Sequence, residues 1–317
     1  MATMGVVIVT YNRLEKLKIA LRCFDAQTYA PSYVLVVDNA STDGTGEYLR
    51  GWLREKKHFL RHVVTMESNT GGSGGFYAGL ESAMQRDADW IWVSDDDAFP
   101  EEDALEQLNR FLETRANATD EISAVCCRVI NFGETDYFHR RNTIQTGFRV
   151  QVIKSTEQDY EKESFRINCF SYVGTLINKK KLQVVGLTKK DYFISYDDTE
   201  HSIRLSKVGE IYCVPAAKIH HDGTGSVGLT WKVYYDKRNR LDMIKNHFPG
   251  YVYVFYCLEL FVRACGARLI RHNIEKSKIY MKALKDCISG QFGIDAVYHP
   301  GWQLREVAAL EQSETEH

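Results

Sequence analysis

The sequence has few of the features that mark secreted, membrane-spanning or nucleic-acid-binding proteins. Only five prolines occur among 317 residues, and low-complexity stretches and repeats are absent, as in an ordinary globular chain. The longest apolar run, "YVYVFYCLELFV", is too short for a membrane-spanning helix and contains Glu259. The net charge of -2 gives no reason to expect nucleic-acid binding.

Cysteine is present, but without the spacing that zinc or redox chemistry requires. None of the eight cysteines belongs to a Cys-x-x-Cys pair. Several lie in apolar runs, so we predict reduced, structural thiols in a cytoplasmic protein. The N-terminal stretch "MATMGVVIVTYNR" enters an apolar strand at once, and we therefore expect no signal peptide.

Strand-like and helix-like patterns alternate over the first third of the chain. Four strands are predicted, at "GVVIVT", "YVLVVD", "RHVVTME" and "WIWVS", with three helical segments between them. This alternation predicts an α/β fold with a mainly parallel sheet flanked by helices. Ligands of such sheets bind beyond the carboxyl ends of the strands, so the polar stretches that follow the strands should line one crevice. We predict one of these stretches, "SNTGGSGGF", as a glycine loop that precedes its helix.

The second half is less regular and ends in helices. We predict strands at "AVCCRVINF", "FRINCFSYVGTLIN" and "EIYCVPAAKIHHDGTG", and a loop leading into a helix at "YFISYDDTEHSIRLSKVG". From residue 226 onwards, helical patterns rich in aromatic and basic residues follow. The predicted domains are therefore an α/β domain at residues 1–225 and a C-terminal helical region at residues 226–317.

Three consecutive aspartates, Asp95, Asp96 and Asp97, follow the fourth apolar strand. A helix cap needs one aspartate rather than three, and an unpaired buried carboxylate is costly. The cluster instead favours a site for Mg²⁺ or Mn²⁺, which prefer carboxylate oxygens and share coordination with substrate phosphates. His220 and His221 end a later strand, and either imidazole could supply a further metal ligand.

The glycine-rich stretch and three residues that follow the first two strands each allow more than one interpretation. The stretch lacks both the Walker A motif and the spacing of the dinucleotide-binding fingerprint. Asp38 and Asn39, after the second strand, are either turn formers or hydrogen-bond partners of a base or ribose. Arg13 is either a surface cation or a phosphate contact.

A second acidic group lies in "YDDTEHSIR". Asp197 or Asp198 suits either a general base or a helix cap. Glu200 and Arg204 are four residues apart on the predicted helix, so this pair is also compatible with a purely structural ion pair.

In combination, these motifs resemble the inverting family 2 glycosyltransferases of the GT-A fold. The resemblance covers about Val6 to Leu241. "VVIVTYNR" and "VVDNASTDGT" are similar to the nucleotide-binding start of the family, and "NTGGSGGFYAGL" and "DDDAFPEEDAL" to its central part with the DxD motif. "DDTEHSIRLSKVG" resembles the acidic motif that carries the base, and "VPAAKIHHDGTG" and "YYDKRNRL" resemble the segments that follow it. Within the family, the sequence looks most like bacterial galactofuranosyltransferases and rhamnosyltransferases.

The resemblance implies roles for individual residues. Asp198, or else its neighbour Asp197, would be the base that removes a proton from an acceptor hydroxyl. The nucleotide-sugar would be held by residues at the ends of the first four strands, namely Thr10, Arg13, Asp38, Asn39, Asn69, Gly72, Asp95 and Asp96.

The same resemblance implies a metal cofactor. Mn²⁺ or Mg²⁺ would be bound by Asp95, Asp97 and one histidine, with His221 favoured over His220. The cation would stabilise the leaving nucleoside diphosphate, while the acceptor hydroxyl attacks the anomeric carbon from the opposite face and inverts its configuration.

The implied function is sugar transfer to a saccharide acceptor in the synthesis of a bacterial surface polysaccharide. The glycine stretch, the DDD form and the DDxE form favour UDP-galactofuranose as donor, and dTDP-rhamnose is the alternative. Two other classes are a nucleotidyltransferase and a non-catalytic nucleotide-sugar-binding protein. The first normally opens with a glycine- and lysine-rich loop that "VVIVTYNRLEKL" lacks, and the second would not need the intact "YDDTE".

The C-terminal region carries many basic residues and few acids over "FVRACGARLIRHNIEKSKIYMKALKDCISGQF". It is either a helical cap on the catalytic domain or a basic amphipathic face that contacts an anionic membrane. Membrane contact would suit an acceptor on a lipid carrier, and it would place the protein at the inner face of the cytoplasmic membrane.

Overall fold

The computed structural model describes residues 2–55, 58–223 and 229–302. The predicted domain boundary between residues 225 and 226 lies outside these ranges. The chain divides into two compact units, each built from three separate segments. The first unit contains Met1–Ile144, Gln151–Lys190 and Asp198–Gly223, and the second contains Gln145–Val150, Asp191–Asp197 and Thr224–His317.

The described residues form thirteen strands and ten α-helices. The strands are β1 Met4–Thr10, β2 Tyr33–Asp38, β3 Leu60–Thr65, β4 Trp90–Asp95, β5 Ala98–Pro100, β6 Ile122–Asn131, β7 Glu134–Thr135, β8 Arg140–Thr146, β9 Arg149–Lys154, β10 Phe165–Ile167, β11 Cys169–Phe170, β12 Thr175–Asn178 and β13 Glu210–His221. The helices are α1 Leu14–Asp25, α2 Thr45–Trp52, α3 Gly71–Met84, α4 Ala104–Thr114, α5 Glu157–Tyr160, α6 Lys179–Val185, α7 Asp197–Ser206, α8 Lys232–His247, α9 Gly250–Leu269 and α10 Ile274–Ser289.

The first unit is organised around one mixed sheet with the strand order β10-β13-β6-β12-β4-β1-β2-β3. The strands β3, β2, β1 and β4 are parallel, which confirms the predicted parallel half. β12 runs antiparallel between β4 and β6, and β13 is parallel to β6. The short strands β5 and β7 pair with β13 and β6, and a separate small sheet has the order β11-β8-β9.

Both faces of the parallel half are buried. Along β1, Val6 and Ile8 belong to one core cluster, which also includes side chains of α1 and α4. Val7 and Val9, which alternate with them, belong to a second cluster that includes side chains of α3. Because successive side chains point to opposite faces, a strand that is covered on both sides reads as a continuous apolar run, as "GVVIVT" does.

The glycine-rich stretch is helical, so the prediction of a loop there is wrong. α3 begins at Gly71 and includes the whole of "GGSGG". A Cβ atom at Gly75 would lie 2.5 Å from Val9 Cγ1, and one at Gly79 would lie 2.4 Å from Val7 Cγ1. The helix therefore packs against β1 more closely than a residue with a side chain would allow. In the sequence these glycines have the pattern of a turn, but in the structure they are required by this close packing.

The other discrepancies lie between β6 and α7. The stretch "FRINCFSYVGTLIN" is not one strand, because it forms the three short strands β10, β11 and β12. The hairpin of β8 and β9 was not predicted, and its tip, Gln145–Val150, belongs to the second unit. The predicted strand β13 and the predicted helix α7 are both present.

The second unit is mainly helical. α10 packs against both α8 and α9. Arg238 and Asn239 of α8 donate hydrogen bonds to the backbone carbonyl of Tyr192 at 3.1 Å each, and Tyr192 Oη donates to Asp242 at 2.7 Å. None of the helices in the described ranges combines the length and apolar character needed to cross a bilayer.

Candidate active site

The carboxyl ends of the parallel strands lie side by side in the first unit. Thr10 at the end of β1 is in register with Asp38 at the end of β2, and Asp38 is in register with Thr65 of β3. On the other side of β1, Val9 is in register with Asp95 at the end of β4. The polar stretches that follow these strands therefore converge, as expected for the binding edge of an open α/β sheet.

The aspartate cluster forms a tight turn at this edge. Asp96 and Asp97 connect β4 to β5. Thr10 Oγ1 donates a hydrogen bond of 2.7 Å to Asp96 Oδ2. Arg13 Nη1 donates to Asp96 Oδ1 at 3.2 Å and to Asp97 Oδ2 at 2.6 Å. One half-exposed guanidinium thus joins two buried carboxylates, which accounts for their coexistence.

The two carboxylates of this turn have opposite pKa shifts. Burial raises the pKa of Asp96 to about 6, although the charge of Arg13 and the hydrogen bond from Thr10 act in the other direction. Burial also acts to raise the pKa of Asp97, but the hydrogen bond with His221 and the charge of Arg13 outweigh it and lower that pKa. At neutral pH, Asp97 is therefore more fully ionised than Asp96.

The two adjacent histidines of β13 point in opposite directions. His221 is in register with Ala98 of β5, and its Nε2 lies 3.6 Å from Asp97 Oδ1. His220 Nε2 lies 3.1 Å from Glu101 Oε1 on the other face, where the side chain is half exposed. Only His221 faces the aspartate turn. Its Nδ1 is buried without a hydrogen-bond partner in the described part of the chain.

A third histidine, which sequence reasoning missed, lies beside His221. The rings of His139 and His221 meet edge to face, with their centroids 5.1 Å apart. His139 Nδ1 lies 2.6 Å from Ser171 Oγ. Burial, together with the charge of Arg140, lowers the pKa of His139 to about 3, so this ring is neutral at physiological pH. The only sequence signal for it is the basic run "FHRRN" after a turn.

The arrangement fits an open site for a divalent cation rather than a closed cage. Asp97 and His221 offer a carboxylate and an imidazole on one side of the turn. Within residues 2–55, 58–223 and 229–302, no three His, Cys, Asp or Glu side chains converge as a complete ligand set. Mg²⁺ and Mn²⁺ commonly take only one or two protein ligands and complete their coordination with substrate phosphates and water. Two donors of this chemistry are therefore sufficient.

Asn39 uses its side chain within the protein. Its Nδ2 donates to Asn69 Oδ1 at 3.2 Å and to the carbonyl of Gly71 at 2.9 Å. Its Oδ1 accepts from the backbone N–H and from the hydroxyl of Thr70, each at 3.0 Å. Asn69 Oδ1 also accepts from the N–H of Gly71 at 2.8 Å. Both asparagines thus hold the start of α3 against the end of β2.

Asp38 and Gly72 lie at the same edge of the sheet. Asp38 is buried, and its Oδ1 accepts a hydrogen bond of 2.9 Å from the N–H of Ser41. Gly72 differs from the packed glycines of α3, because a Cβ atom there would meet no atom within 4 Å. Its backbone therefore faces open space.

The second acidic motif begins α7. Asp197 is buried, whereas Asp198 is partly exposed. Asp198 Oδ1 accepts from both the N–H and the hydroxyl of Thr199. Arg141, another residue that was not predicted from the sequence, donates to Thr199 Oγ1 at 2.8 Å. Both hydrogen bonds that Asp198 accepts come from Thr199, so neither of them connects Asp198 to Asp96 or Asp97.

The third acid of this motif is structural. Glu200 is almost fully buried and accepts hydrogen bonds of 2.8–3.0 Å from Arg204. Arg204 also donates to the carbonyls of Val185, at 2.6 Å, and Leu187, at 2.9 Å. The pair therefore fastens α7 to the end of α6.

Comparison with known proteins agrees with this fold. The model of the family "Glycosyl transferase family 2" matches residues 5–183, which is more than half of the chain. The chain therefore belongs to glycosyl transferase family 2, and its fold is the GT-A fold.

Two curated relatives and one solved structure are informative. The chain is 28% identical to galactofuranosyltransferase GlfT1 of Mycobacterium tuberculosis over 220 residues, which cover 69% of this chain and 70% of that protein. It is 26% identical to dTDP-rhamnosyl transferase RfbF of Shigella flexneri over 256 residues, which cover 77% and 80%. The crystal structure of GalNAc-T7 with UDP, GalNAc and Mn²⁺ superposes with a TM-score of 0.63 at 16% identity, over 91% of this chain and 56% of that one.

Proposed function

We propose that this glycosyltransferase moves galactofuranose, with inversion, from UDP-galactofuranose to a saccharide acceptor of a bacterial surface polysaccharide. The observation that carries the proposal is the aspartate turn, in which Asp97 is joined to Arg13 and His221 at the carboxyl edge of the sheet. The similarity to GlfT1 supports galactofuranose as the sugar.

We propose that Asp97 and His221 hold Mn²⁺ or Mg²⁺, with Asp95 at the end of β4 as a further oxygen donor. The carboxylate and imidazole of the first two residues suit either cation. When bound, the cation would neutralise the charge that develops on the leaving diphosphate. His220 is not part of this proposal, because its ring faces Glu101. The Mn²⁺ in the GalNAc-T7 structure supports metal use in a protein of similar fold.

Arg13 and the strand ends are proposed to bind the donor. Arg13 is half exposed, so its guanidinium is able to contact a phosphate while it still neutralises Asp96. Asp38 has one carboxylate oxygen on Ser41, which leaves the other for a base or ribose. Asn39 and the neighbouring asparagine act indirectly by holding the start of α3, where the open backbone of Gly72 is able to approach the donor.

Asp198 is the proposed base. It is partly exposed, whereas Asp197 is buried, and a base must reach the hydroxyl of an incoming acceptor. The carboxylate takes the hydroxyl proton as the acceptor oxygen forms its bond to the anomeric carbon. The bond from that carbon to the diphosphate oxygen breaks, and its electron pair leaves with UDP. Attack from the face opposite UDP inverts the anomeric configuration.

A second donor, dTDP-rhamnose, is favoured by a separate observation. The match to RfbF extends over a larger share of both chains than the match to GlfT1, although the identity is slightly lower. The reaction would be the same, with dTDP as the leaving group and rhamnose as the sugar.

Titration calorimetry with UDP and dTDP, each with and without Mn²⁺, tests the donor site. We expect metal-dependent binding of UDP in the unchanged protein and a loss of at least about tenfold in affinity for Asp97→Asn. Glu101→Gln is the matched control, because it removes a nearby carboxylate that faces His220 instead. Equal affinity with and without metal, or equal binding by both variants, would contradict the proposed metal site.

A transfer assay with UDP-galactofuranose and dTDP-rhamnose tests the reaction, with the anomeric configuration of the product read by NMR. We expect Asp198→Asn to bind UDP normally but to lose transfer activity by roughly a hundredfold or more. Product of retained configuration would contradict the mechanism. Transfer from dTDP-rhamnose alone would replace the proposed donor and leave the site assignment intact.

A further inference from the structure

The second unit contains an exposed apolar helix face, none of whose residues belongs to the site proposed for sugar transfer. Six of the exposed side chains of α9 are apolar, and seen along the helix they fall within a sector of about 100°. The exposed fractions of these six residues range from 46% to 73%: Tyr251, Val254, Leu258, Phe261, Val262 and Leu269. Arg263 and Arg268 are also exposed on this helix. We call the six apolar residues the α9 face. It extends for about 27 Å along the helix, which is larger than the isolated apolar side chains common on protein surfaces.

The turn after α9 continues this apolar surface. Ile270 is 79% exposed and Ile274, the first residue of α10, is 54% exposed. Such exposure of aliphatic side chains on a turn is costly in water, since water solvates them poorly. The hairpin of α9 and α10 thus carries two exposed aliphatic side chains at its tip.

The charges around this surface are predominantly positive. Between Gly250 and Gly290 the chain has seven basic and three acidic residues, whereas the whole protein has a net charge of -2. Each of the three acids pairs with a base on its own helix, as in Glu259 with Arg263. Four bases have no carboxylate partner in the described part of the chain, namely Arg268, Arg271, Lys276 and Lys285.

Part of this excess charge lines a cavity beside the tip. The cavity has a volume of about 520 Å³ and is lined by Arg263, Arg271 and Lys276, together with Gly266 and Tyr280. Basic side chains around a recess next to exposed aliphatic residues are suited to a phosphate group attached to an apolar chain.

We propose that α9 and the tip of its hairpin dock on an anionic membrane surface, with the α9 face in the acyl boundary and the basic residues among lipid phosphates. A helix that combines an apolar face with flanking bases, and that is not both long and apolar enough to cross a bilayer, is suited to lie in the interface plane. A second copy of the chain fits this surface poorly, because two identical positive faces would repel each other. The proposal does not depend on which sugar the protein transfers.

Vesicle sedimentation without any nucleotide-sugar tests the proposal. One set of vesicles contains phosphatidylcholine alone, and the other also contains phosphatidylglycerol. We expect binding to the anionic vesicles to be at least about tenfold tighter and to weaken with added salt. Equal binding to both sets, or no binding to either, would overturn the proposal.

Two pairs of variants assign the interaction to this surface. Leu258→Ser with Val262→Ser should weaken binding by at least about tenfold, since both side chains would be buried in the bilayer. The matched control is Leu60→Ser with Val184→Ser, which changes two equally exposed aliphatic residues of the first unit. If both pairs bind alike, the α9 face is not the contact.

The second pair of variants, Arg268→Gln with Arg271→Gln, removes two positive charges. We expect roughly a thirtyfold loss of affinity for anionic vesicles and little change in affinity for neutral ones. The control, Arg50→Gln with Arg54→Gln, lowers the net charge by the same amount on an exposed helix end of the first unit.

Sedimentation of the lipid-free protein tests whether a second copy of the chain covers the α9 face instead. A dimer that Leu258→Ser with Val262→Ser converts to a monomer would show that a second copy covers this face and would overturn the proposal.

Discussion

At the scale of single residues, ion pairs with arginine offset the free-energy cost of burying acidic side chains. Arg13 joins Asp96 and Asp97 at the end of the sheet, and Arg204 joins Glu200 on α7. Removing either guanidinium would leave a buried carboxylate without its partner, which typically costs about 3–5 kcal/mol for a fully buried pair. Arg13 is half exposed, so we expect a smaller loss there than at Arg204.

A buried histidine gives a pH-dependent prediction. Burial lowers the pKa of His201 from 6.5 to about 3, and its ring nitrogens lie 2.5 Å from Tyr172 Oη and 3.1 Å from the carbonyl of Gly186. Because the unfolded chain takes up a proton below pH 6.5 and the folded protein does not, the stability present above pH 6.5 is lost as the pH falls towards 3. The loss from this residue is about 1.4 kcal/mol per pH unit.

Urea unfolding between about pH 7 and pH 4.5 measures this loss. The unfolding free energy of His201→Gln should fall less steeply with pH than that of the unchanged protein, because glutamine does not titrate. His58→Gln, at an exposed position, should retain the original slope. Identical slopes in all three proteins would show that His201 does not resist protonation in the folded state.

Individual site residues were predictable to different degrees. Asp95, Asp96 and Asp97 stand out in the sequence because three acids after an apolar strand need a special environment. The family resemblance already favours His221 over His220, but the position of His221 beside Asp97 depends on the pairing of β13 with β5, which no local pattern contains. The partnership of Arg13 with the aspartates joins residues 83 and 84 positions apart, and it depends on the parallel packing of β1 beside β4.

At the scale of elements, close packing explains the composition of α3. Gly79→Ala should lower the unfolding free energy by roughly 1–3 kcal/mol, because the new methyl group would overlap Val7 and Val37 of the adjacent strands. Gly72→Ala, near the start of the same helix, should leave stability unchanged or raise it by up to about 1 kcal/mol, since its Cβ would meet open space. Urea unfolding of both variants checks the contrast, and equal effects would mean that α3 does not contact β1 this closely.

The loop before the second acidic motif is strained. Phe193, Ser195 and Tyr196 have φ angles of 65°, 70° and 67°, which non-glycine residues rarely adopt. Asn239 Nδ2 donates hydrogen bonds to the carbonyls of three loop residues, Tyr192 among them, at 2.9–3.1 Å. Conformations of this kind cost about 1–3 kcal/mol each, and they persist only where surrounding contacts fix them.

Asn239→Asp tests this anchor by replacing the donor with an acceptor of the same shape. We expect the unfolding free energy to fall by roughly 2–4 kcal/mol, since buried carbonyls lose their partner and face a buried carboxylate. Asn246→Asp is the control on the same helix, because Asn246 donates only to the carbonyl of Asp242 at a partly exposed position. A loss at Asn239 no larger than at Asn246 would exclude this anchoring role.

The elements that were predicted correctly are those whose pattern is local. β1 to β4 have uninterrupted apolar runs because both faces of the sheet are covered, and polar turns mark their ends. The hairpin of β8 and β9 escaped prediction because its strands are partly exposed and have no strict alternation. The start of α3 was misread because tertiary packing overrides the low helix propensity of glycine.

At the scale of the whole molecule, the two units are interleaved along the chain. Asp191–Asp197 belongs to the second unit, although the residues on both sides of it belong to the first. A fragment ending at Gly223 would therefore lack the helices that contact this segment. Tyr192 alone would lose the stacking of its ring on Phe292 and its hydrogen bond to Asp242.

We expect residues 1–223 expressed alone to bind the dye ANS and to elute as soluble aggregates, unlike the complete chain. Adding residues 224–317 as a separate polypeptide during refolding should reduce both signals, because it restores the missing partners. A fragment that is monomeric and does not bind the dye would show that the first unit folds independently of these segments.

The strained loop before Asp197 also has a consequence for how the protein is made. The carbonyls that Asn239 holds lie 44 to 47 residues before it, so a ribosome synthesises the loop before the residue that anchors it. At typical rates, translation of that interval takes about 2 to 9 seconds. Within this interval the last strand of the large sheet, β13, is also synthesised. The backbone leading to the acidic motif therefore acquires its final shape late, and only chains translated well past the sheet can present these aspartates correctly.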